Sequence, residues 1–328
     1  MNSNNLSRNN QDLAKNIVLI DGFSGSGKAL VSPIISYLER GEKCQFNELF
    51  ETAAMLTYLG GMTNKDASVL VNIEADKTIY NLMIGRNVNF RKTDASSPYF
   101  DGVGDMYLSR LKVKEGNSIV DSIINDSPIL SLHIHYIFGY SDFLFDAFGD
   151  KLKAYIILLR NPFYLIERWF DNGCPNKLCK DNRELQFCIK HNDVEIPWYA
   201  SEYADEYVTS NDIGKCILTV FNLYIRMFKM YNTLSCKNTR KVQFIVFEDF
   251  AVDPDPHIDK ICIMLNTRKK SDFFKIKENL SLPRELKDVC SLSCVEFIEK
   301  YKNYISSEDM TKLSTLDKEY KNFIENFI

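Results

Sequence analysis

The alternation of apolar runs and helical patterns along this 328-residue chain predicts an α/β fold. A run of β-formers over 17–20 enters a glycine-rich loop, and an apolar helical pattern follows that loop. The continuous apolar run 154–159 is typical of a buried parallel strand, and 242–247 predicts another strand. We therefore expect three layers, with a central, mainly parallel β-sheet flanked by helices and a helical C-terminal part.

The loop between the first strand and the first helix has the spacing of a phosphate-binding P-loop. The pattern G-x-x-x-x-G-K-[ST] is met at every fixed position except the last, where Ala29 stands. Such loops bind phosphate with backbone N–H groups, a lysine and a helix N-terminus. The candidate phosphate ligands are Gly22, Ser24, Gly25, Ser26, Gly27 and Lys28. The alternative is a glycine-rich turn whose lysine is merely solvated.

Ala29 favours nucleotide chemistry that needs no metal ion. The hydroxyl expected at this position holds Mg²⁺ in P-loop proteins that hydrolyse ATP or GTP. A loop that keeps the phosphate cradle and lacks this ligand suits a reaction without a divalent ion. We therefore expect no metal site.

Composition divides the chain into a tail and one domain. Residues 1–15 are rich in Asn and Ser, and we expect them to form a disordered N-terminal tail. Residues 16–328 show no repeat and no dividing linker, which favours a single domain. Within it, the polar and irregular stretch 171–212 is expected to be an insertion on the substrate side.

Charge and cysteine usage limit the partners and the compartment. The net charge of −4 and the pI of about 5.7 do not indicate a nucleic-acid or anionic-membrane surface. No apolar run reaches the length of a membrane span. Nine cysteines are scattered without zinc-site spacing, so we expect free thiols in a reducing, cytoplasmic environment.

Two segments carry candidate substrate-binding or catalytic side chains. Residues 129–138 alternate as a strand, with His133 and His135 on its polar face. Such histidines are either structural or functional. The polar segment 85–100 contains Arg86 and Arg91, and it is either a solvated surface loop or a loop that faces an acidic or sugar-like substrate.

The order of four motifs resembles the P-loop sulfotransferase family, whose members use 3′-phosphoadenosine 5′-phosphosulfate (PAPS) as donor. These motifs are the loop 22–28, SPILSLHIH at 127–135, AYIILLRNPFYLIERWF at 154–170 and VQFIVFEDFAVDP at 242–254. The resemblance implies transfer of a sulfuryl group to a hydroxyl or amine of a carbohydrate or small-molecule acceptor.

The resemblance also assigns roles to individual residues. His133 falls at the family's catalytic base, and Lys28 would act at the donor's phosphosulfate. Arg160 falls at the arginine that holds the donor's 3′-phosphate, and Arg168 stands where the family has a serine that shares this task. The family's loop carries its lysine early, whereas here Lys28 comes late, as in kinases.

Two other functions remain open on the sequence alone. A P-loop kinase or NTPase that uses ATP is favoured by the sequence Gly27-Lys28, and Asp249 could then be a magnesium ligand. A degenerate binding or scaffold protein that kept only the fold is favoured by the absence of the family's early lysine.

Overall fold

The computed structural model of this chain describes residues 6–8, 11–184, 186–285 and 292–327. Its strands are β1 Asn16–Gly22, β2 Gln45–Phe46, β3 Ile129–His133, β4 Leu152–Leu159, β5 Cys188–His191, β6 Val194–Pro197 and β7 Val242–Val246. Its helices from the N-terminus to residue 171 are α1 Lys28–Ser36, α2 Glu48–Tyr58, α3 Asn64–Met83, α4 Gly104–Arg110, α5 Asn117–Asp126, α6 Asp142–Phe148 and α7 Pro162–Asp171. The later helices are α8 Cys174–Lys177, α9 Ala204–Thr209, α10 Asp212–Thr233, α11 Cys236–Thr239, α12 Phe247–Val252, α13 Asp255–Leu265, α14 Phe274–Asn279, α15 Cys294–Tyr301 and α16 Ser307–Phe327.

The chain forms two compact units. The first contains Met1–Leu159 and Leu234–Leu286, and the second contains Arg160–Thr233 and Lys287–Ile328. The predicted single domain 16–328 spans both units, and its unity stays a prediction. The predicted insertion 171–212 lies in the second unit, and its place on the substrate side also stays a prediction.

A five-stranded parallel sheet organises the first unit. The strand order is β2-β3-β1-β4-β7, and every neighbouring pair runs parallel. In register, Ile20 of β1 lies beside His133 of β3, and Gly22 lies beside Leu158 of β4. The carboxyl ends of β1 and β3 therefore meet at one edge of the sheet, which is where α/β sheets bind ligands.

Helices and aromatic side chains cover both faces of this sheet. On one face, Ala154, Ile156 and Leu158 of β4 belong to a buried cluster with side chains of α1 and α13. On the other face, the ring of Tyr155 meets Phe138 at 5.0 Å and Phe145 of α6 at 5.7 Å between centroids. Alternate residues of one strand thus face two apolar layers. The predicted three-layer α/β fold with a mainly parallel sheet is confirmed.

Helices α7, α10 and α16 form the core of the second unit. Phe228 of α10 stacks on Phe323 of α16 with ring centroids 4.2 Å apart, and Tyr224 meets Tyr320 edge-on at 5.6 Å. The apolar periodicity of 216–231 predicts α10, and the helical C-terminal part is confirmed by α15 and α16. Strands β5 and β6 pair as an antiparallel hairpin.

A disulfide joins Cys179 to Cys188, so the expectation of free thiols is wrong for these two residues. Their Cα atoms lie 5.9 Å apart because β5 returns the chain to the segment that follows α8. The spacing of nine residues carries no recognisable disulfide signature, so sequence alone does not reveal this pair.

The N-terminal segment contacts the first unit where it is described. Arg8 pairs with Asp76 of α3 at 2.9 Å, and the backbone N–H groups of Leu13 and Ala14 donate to the same carboxylate. Residues 1–5 and 9–10 of the predicted tail lie outside the described residues. Among the described residues, none of the helices combines the length and the hydrophobicity that a membrane span requires.

Candidate functional site

The glycine loop after β1 has a backbone that only glycine adopts comfortably. Gly22, Gly25 and Gly27 have φ values of 146°, 89° and 97°. A Cβ atom at Gly22 would lie 2.7 Å from the Leu158 carbonyl oxygen. Helix α1 begins directly after the loop, at Lys28, so its first backbone N–H groups have no partners within the helix. Loop and helix together have the backbone arrangement of the predicted phosphate cradle, and phosphate binding itself stays a prediction.

Lys28 is folded back over this loop and is only 4% exposed. Its Nζ donates to the Gly22 carbonyl and, at 3.0 Å, to the Phe23 carbonyl. Burial lowers the pKa of Lys28 to about 8, while the nearby carboxyls of Asp21 and Glu51 act in the opposite direction. Of the two predicted loop serines, Ser24 is exposed and Ser26 is buried. The side chain of Lys28 is thus held beside the loop, and about half of it is protonated at about pH 8.

Asp21, at the end of β1, is a buried carboxyl that the sequence reasoning missed. Its Oδ1 accepts from the Gly22 N–H at 2.6 Å, and its Oδ2 accepts from the Phe138 N–H at 2.8 Å. Burial raises the pKa of Asp21 to about 6, and Lys28 opposes that rise. The sequence does contain a signal for this residue, since Asp21 is an acidic residue directly after the apolar run 17–20. Asp21 ties the start of the loop to the chain that follows β3.

The histidine strand is shorter than predicted. The alternation predicts a strand through residue 138, but β3 ends at His133, and Tyr136 turns the chain away with φ 43°. Ser131, on the face predicted to be polar, is fully buried. His133 and His135 are therefore not spaced as on one strand face, and their ring centroids lie only 5.0 Å apart.

Each histidine ring is held at Nδ1 by a different partner. His133 Nδ1 lies 3.2 Å from Ser32 Oγ, and Ser32 Oγ donates to the Lys28 carbonyl at 2.9 Å. His135 Nδ1 lies 2.9 Å from Glu51 Oε1 of α2. Burial lowers the pKa of both rings, so both are neutral at pH 7. Glu51 was not recognised from the sequence, where it is an ordinary acidic residue in the first turn of a helix.

A cavity of about 200 Å³ joins the histidines to the helix that follows the loop. Its lining residues are Ala29, Ser32, Pro33, Lys43, Cys44, Phe46, Ala95, Ser96, Phe100, His133 and His135. Ala29 thus faces this space at the position where a magnesium-binding P-loop carries its hydroxyl. The lining combines two neutral imidazoles, the hydroxyls of Ser32 and Ser96 and the Lys43 side chain with an apolar wall, which suits a hydroxyl-bearing or amine-bearing group.

The cavity wall is fixed by a buried ion pair. Lys43 Nζ lies 2.8 Å from Asp101 Oδ2, and their side chains are 4% and 0% exposed. Lys43 also donates to the Ala95 carbonyl at 3.2 Å. The pair therefore anchors the polar segment 85–100 next to β2, and this segment reaches the cavity through Ala95, Ser96 and Phe100.

The predicted arginine ligands are not gathered at this cavity. Among the described residues, Arg86 pairs with Glu115, and Arg91 lies 3.7 Å from Asp94 with a side chain that is 79% exposed. Neither is among the cavity-lining residues. Their role in substrate binding stays a prediction.

Arg160 and Arg168 belong to the second unit. Arg160 precedes α7, is 8% exposed, and its guanidinium lies 3.8 Å from the centre of the Tyr164 ring. Arg168 is exposed in the last turn of α7. Arg160 thus lies before α7, and Arg168 lies six helical residues after Pro162, which corresponds to about 9 Å of axial rise. A shared role of these two arginines in anion binding stays a prediction.

Comparisons with known proteins find structures of sulfotransferases at low sequence identity. No family model and no curated protein matches this chain. One similar structure is the sulfotransferase domain from the curacin biosynthetic pathway, with a TM-score of 0.43 and 12% identity over 92% of this chain and 97% of that one. A second is the sulfotransferase domain of the Synechococcus PCC 7002 olefin synthase, with a TM-score of 0.40 and 12% identity over 93% of this chain and 94% of that one. A third is sulfotransferase STF9 from Mycobacterium avium, with a TM-score of 0.39 and 11% identity over 90% of this chain and 76% of that one.

Proposed function

We propose that this chain is a sulfotransferase-like enzyme that transfers a sulfuryl group from PAPS to a hydroxyl or amine of a carbohydrate or small molecule. The observation that carries the proposal is the cavity beside the phosphate loop. Helix α1, which begins at the loop lysine, and the two neutral histidines line the same space, and Ala29 stands there in place of a magnesium ligand. Metal-free sulfuryl transfer requires a phosphate-binding loop and a proton acceptor. It does not require the magnesium ligand that Ala29 replaces.

Lys28 and the loop amides would bind the 5′-phosphosulfate of the donor. An anion in the cradle would attract the Lys28 ammonium away from the two loop carbonyls that now accept its protons. A charged donor group would also favour the protonated form of Lys28. By the family resemblance, Arg160 would bind the 3′-phosphate, with Arg168 as a second candidate. Donor binding would therefore depend on the loop lysine and on at least one arginine.

An imidazole at the cavity would take the proton of the acceptor. His133 is the residue that the family resemblance selects, and His135 lies beside it. Both rings are neutral at pH 7, which is the state that a general base requires. His133→Ala should abolish turnover and leave donor binding intact if His133 is this base.

Titration calorimetry with two ligands tests the proposal directly. Adenosine 3′,5′-bisphosphate, the product of the donor, should bind without added metal, and ATP with Mg²⁺ should bind at least tenfold more weakly. Lys28→Ala should weaken the first interaction without unfolding the protein, as monitored by circular dichroism. If neither nucleotide binds, the result would instead support a binding or scaffold protein that kept only the fold.

A P-loop kinase or NTPase is the second candidate, because Lys28 directly follows Gly27 at the start of α1. Asp249, exposed in the first turn of α12, would then hold the magnesium ion. EDTA separates the two candidates. Sulfuryl transfer should survive excess EDTA, since a sulfuryl group carries less negative charge than a phosphoryl group. Loss of nucleotide use under EDTA, mimicked by Asp249→Asn, would favour the kinase or NTPase.

A further inference from the structure

We propose that Glu51 is a positioning residue of the active site, which holds His135 with its Nε2 unprotonated so that His135 takes the acceptor's proton. This inference rests on the proposed sulfuryl transfer and changes the identity of its base. His133 is the residue that the sequence favours. The contacts of the two rings distinguish them, and they favour His135.

Glu51 makes two hydrogen bonds to the same residue. Its Oε1 lies 2.9 Å from the backbone N–H of His135 and 2.9 Å from His135 Nδ1. An ionised carboxylate can only accept, so Nδ1 must carry the ring proton. The lone pair of the neutral ring is then on Nε2. Burial raises the pKa of Glu51 to about 7, so the carboxylate is ionised in mildly alkaline solution.

The backbone around His135 is fixed on both sides. The N–H of Ile134 donates to the Ile20 carbonyl at 3.0 Å, and the N–H of Tyr136 donates to the Gly22 carbonyl at 3.3 Å. These bonds attach the segment after β3 to the end of β1. The carboxylate of Glu51 satisfies the N–H that lies between them. Small movements of His135 relative to the phosphate loop are thus restricted.

His133 has a different kind of partner. The Ser32 hydroxyl donates its hydrogen bond to the Lys28 carbonyl. Its oxygen therefore accepts a hydrogen bond from His133 Nδ1, and it carries no charge. When a ring takes a proton, an ionised carboxylate stabilises the resulting imidazolium far better than a hydroxyl does. Both rings line the same cavity, so position does not separate them. The charge of Glu51 therefore makes His135 the better proton acceptor.

The proposed step conserves charge and atoms. The acceptor's O–H bond breaks, the proton moves to His135 Nε2, and the freed electron pair forms a bond to sulfur. The bond between sulfur and the donor's phosphate oxygen breaks, and its electron pair leaves with adenosine 3′,5′-bisphosphate. Glu51 stays ionised beside the imidazolium and compensates its charge.

Several charged groups act on this pair and set its pH dependence. The Lys28 cation opposes protonation of His135, whereas Glu48 raises the pKa of Glu51. Asp21 faces Lys28 from β1, and His133 lies beside His135. Turnover requires an ionised Glu51 and a neutral His135, so it should rise with pH up to about 7. Glu51→Gln keeps an acceptor oxygen for both N–H groups but removes the charge, so this acidic limb should move to lower pH.

Ring ¹⁵N NMR of histidine-labelled protein at about pH 8 tests the positioning role without any turnover. The four histidines are assigned with single His→Asn variants. We expect His135 with protonated Nδ1 and unprotonated Nε2 in the parent protein and in Glu51→Gln, and mixed tautomers in Glu51→Ala. Glu48→Gln, which removes a charge three residues earlier on an exposed side chain, should lower the pKa of Glu51 but leave the tautomer of His135 at pH 8 unchanged. Protonation of His135 Nε2 in the parent would overturn the proposal.

Kinetics test the choice of base. His135→Asn should lower kcat about 10²-fold or more, His133→Asn less, and Glu51→Gln about tenfold with an unchanged KM for the donor. A larger loss in His133→Asn, or full activity with an unshifted pH profile in Glu51→Gln, would refute the role of the Glu51–His135 pair. No sulfuryl transfer by the parent would refute the proposed function and the base role together, while the NMR result would still decide how Glu51 holds His135.

Discussion

A Cβ atom at Gly27 would lie 2.1 Å from Cδ2 of Phe247, so the last glycine of the phosphate loop packs against the residue that follows β7. Gly27 also has φ 97°, in the left-handed region. The start of α12, directly after β7, thus contacts the loop after β1 through Phe247 and Gly27. Both the backbone conformation and this contact exclude a side chain at position 27.

Gly27→Ala should therefore damage the loop specifically. We expect a loss of about 1–3 kcal/mol in the free energy of unfolding, and at least a tenfold loss of affinity for adenosine 3′,5′-bisphosphate. Urea denaturation and calorimetry measure the two effects. Gly60→Ala is the matched control, because Gly60 has φ 75° and no atom lies within 4 Å of the position that its Cβ would take. Equal nucleotide affinity in the two variants would show that Phe247 does not constrain the loop.

The lowered pKa of Lys28 should make anion binding depend on pH. Only the protonated ammonium attracts the phosphate, and the free protein loses this proton at about pH 8. Affinity should therefore be constant below that pH and fall about tenfold per pH unit above it, until the proton is no longer retained in the complex. Calorimetry in buffers of different ionisation enthalpy should detect proton uptake near pH 8.5. Lys28→Met should bind about 10- to 100-fold more weakly near pH 7, without this pH dependence.

Arg160 should discriminate between nucleotides with and without a 3′-phosphate. Its planar guanidinium offers two parallel donors to a phosphate, which lysine cannot copy. Arg160→Lys should bind adenosine 3′,5′-bisphosphate about tenfold more weakly and adenosine 5′-phosphate unchanged. Arg168→Ala, on an exposed site in the last turn of α7, tests the second candidate. Equal losses for the two nucleotides in Arg160→Lys would contradict its assignment.

The Lys43–Asp101 pair should be important for stability and for the cavity wall. Removing one partner of a buried pair leaves an unpaired charge, so Asp101→Asn should cost about 3–5 kcal/mol. Glu299→Gln, which breaks the exposed pair with Lys302, should cost less than about 1 kcal/mol. Hydrogen exchange should show faster opening of 95–101 in Asp101→Asn only. Comparable stability of the two variants would show that the buried pair contributes little.

Local sequence patterns predict several parts of this protein. The glycine spacing and Lys28 predict the phosphate loop, because positive φ values and a helix start need those residues at those positions. The apolar run 154–159 predicts β4, and the period of 216–231 predicts α10. Each of these patterns is complete within a window of about 20 residues.

The assembly of the candidate site depends on contacts between residues that are far apart in the sequence. Glu51 reaches His135 across 84 residues of sequence, Ser32 reaches His133 across 101, and Lys43 reaches Asp101 across 58. The alternation of apolar and polar residues predicts too long a strand around His133, because it gives no sign of the turn at Tyr136. These contacts form because burial in the folded chain leaves polar groups with few partners, and each must find one close in space but distant in sequence.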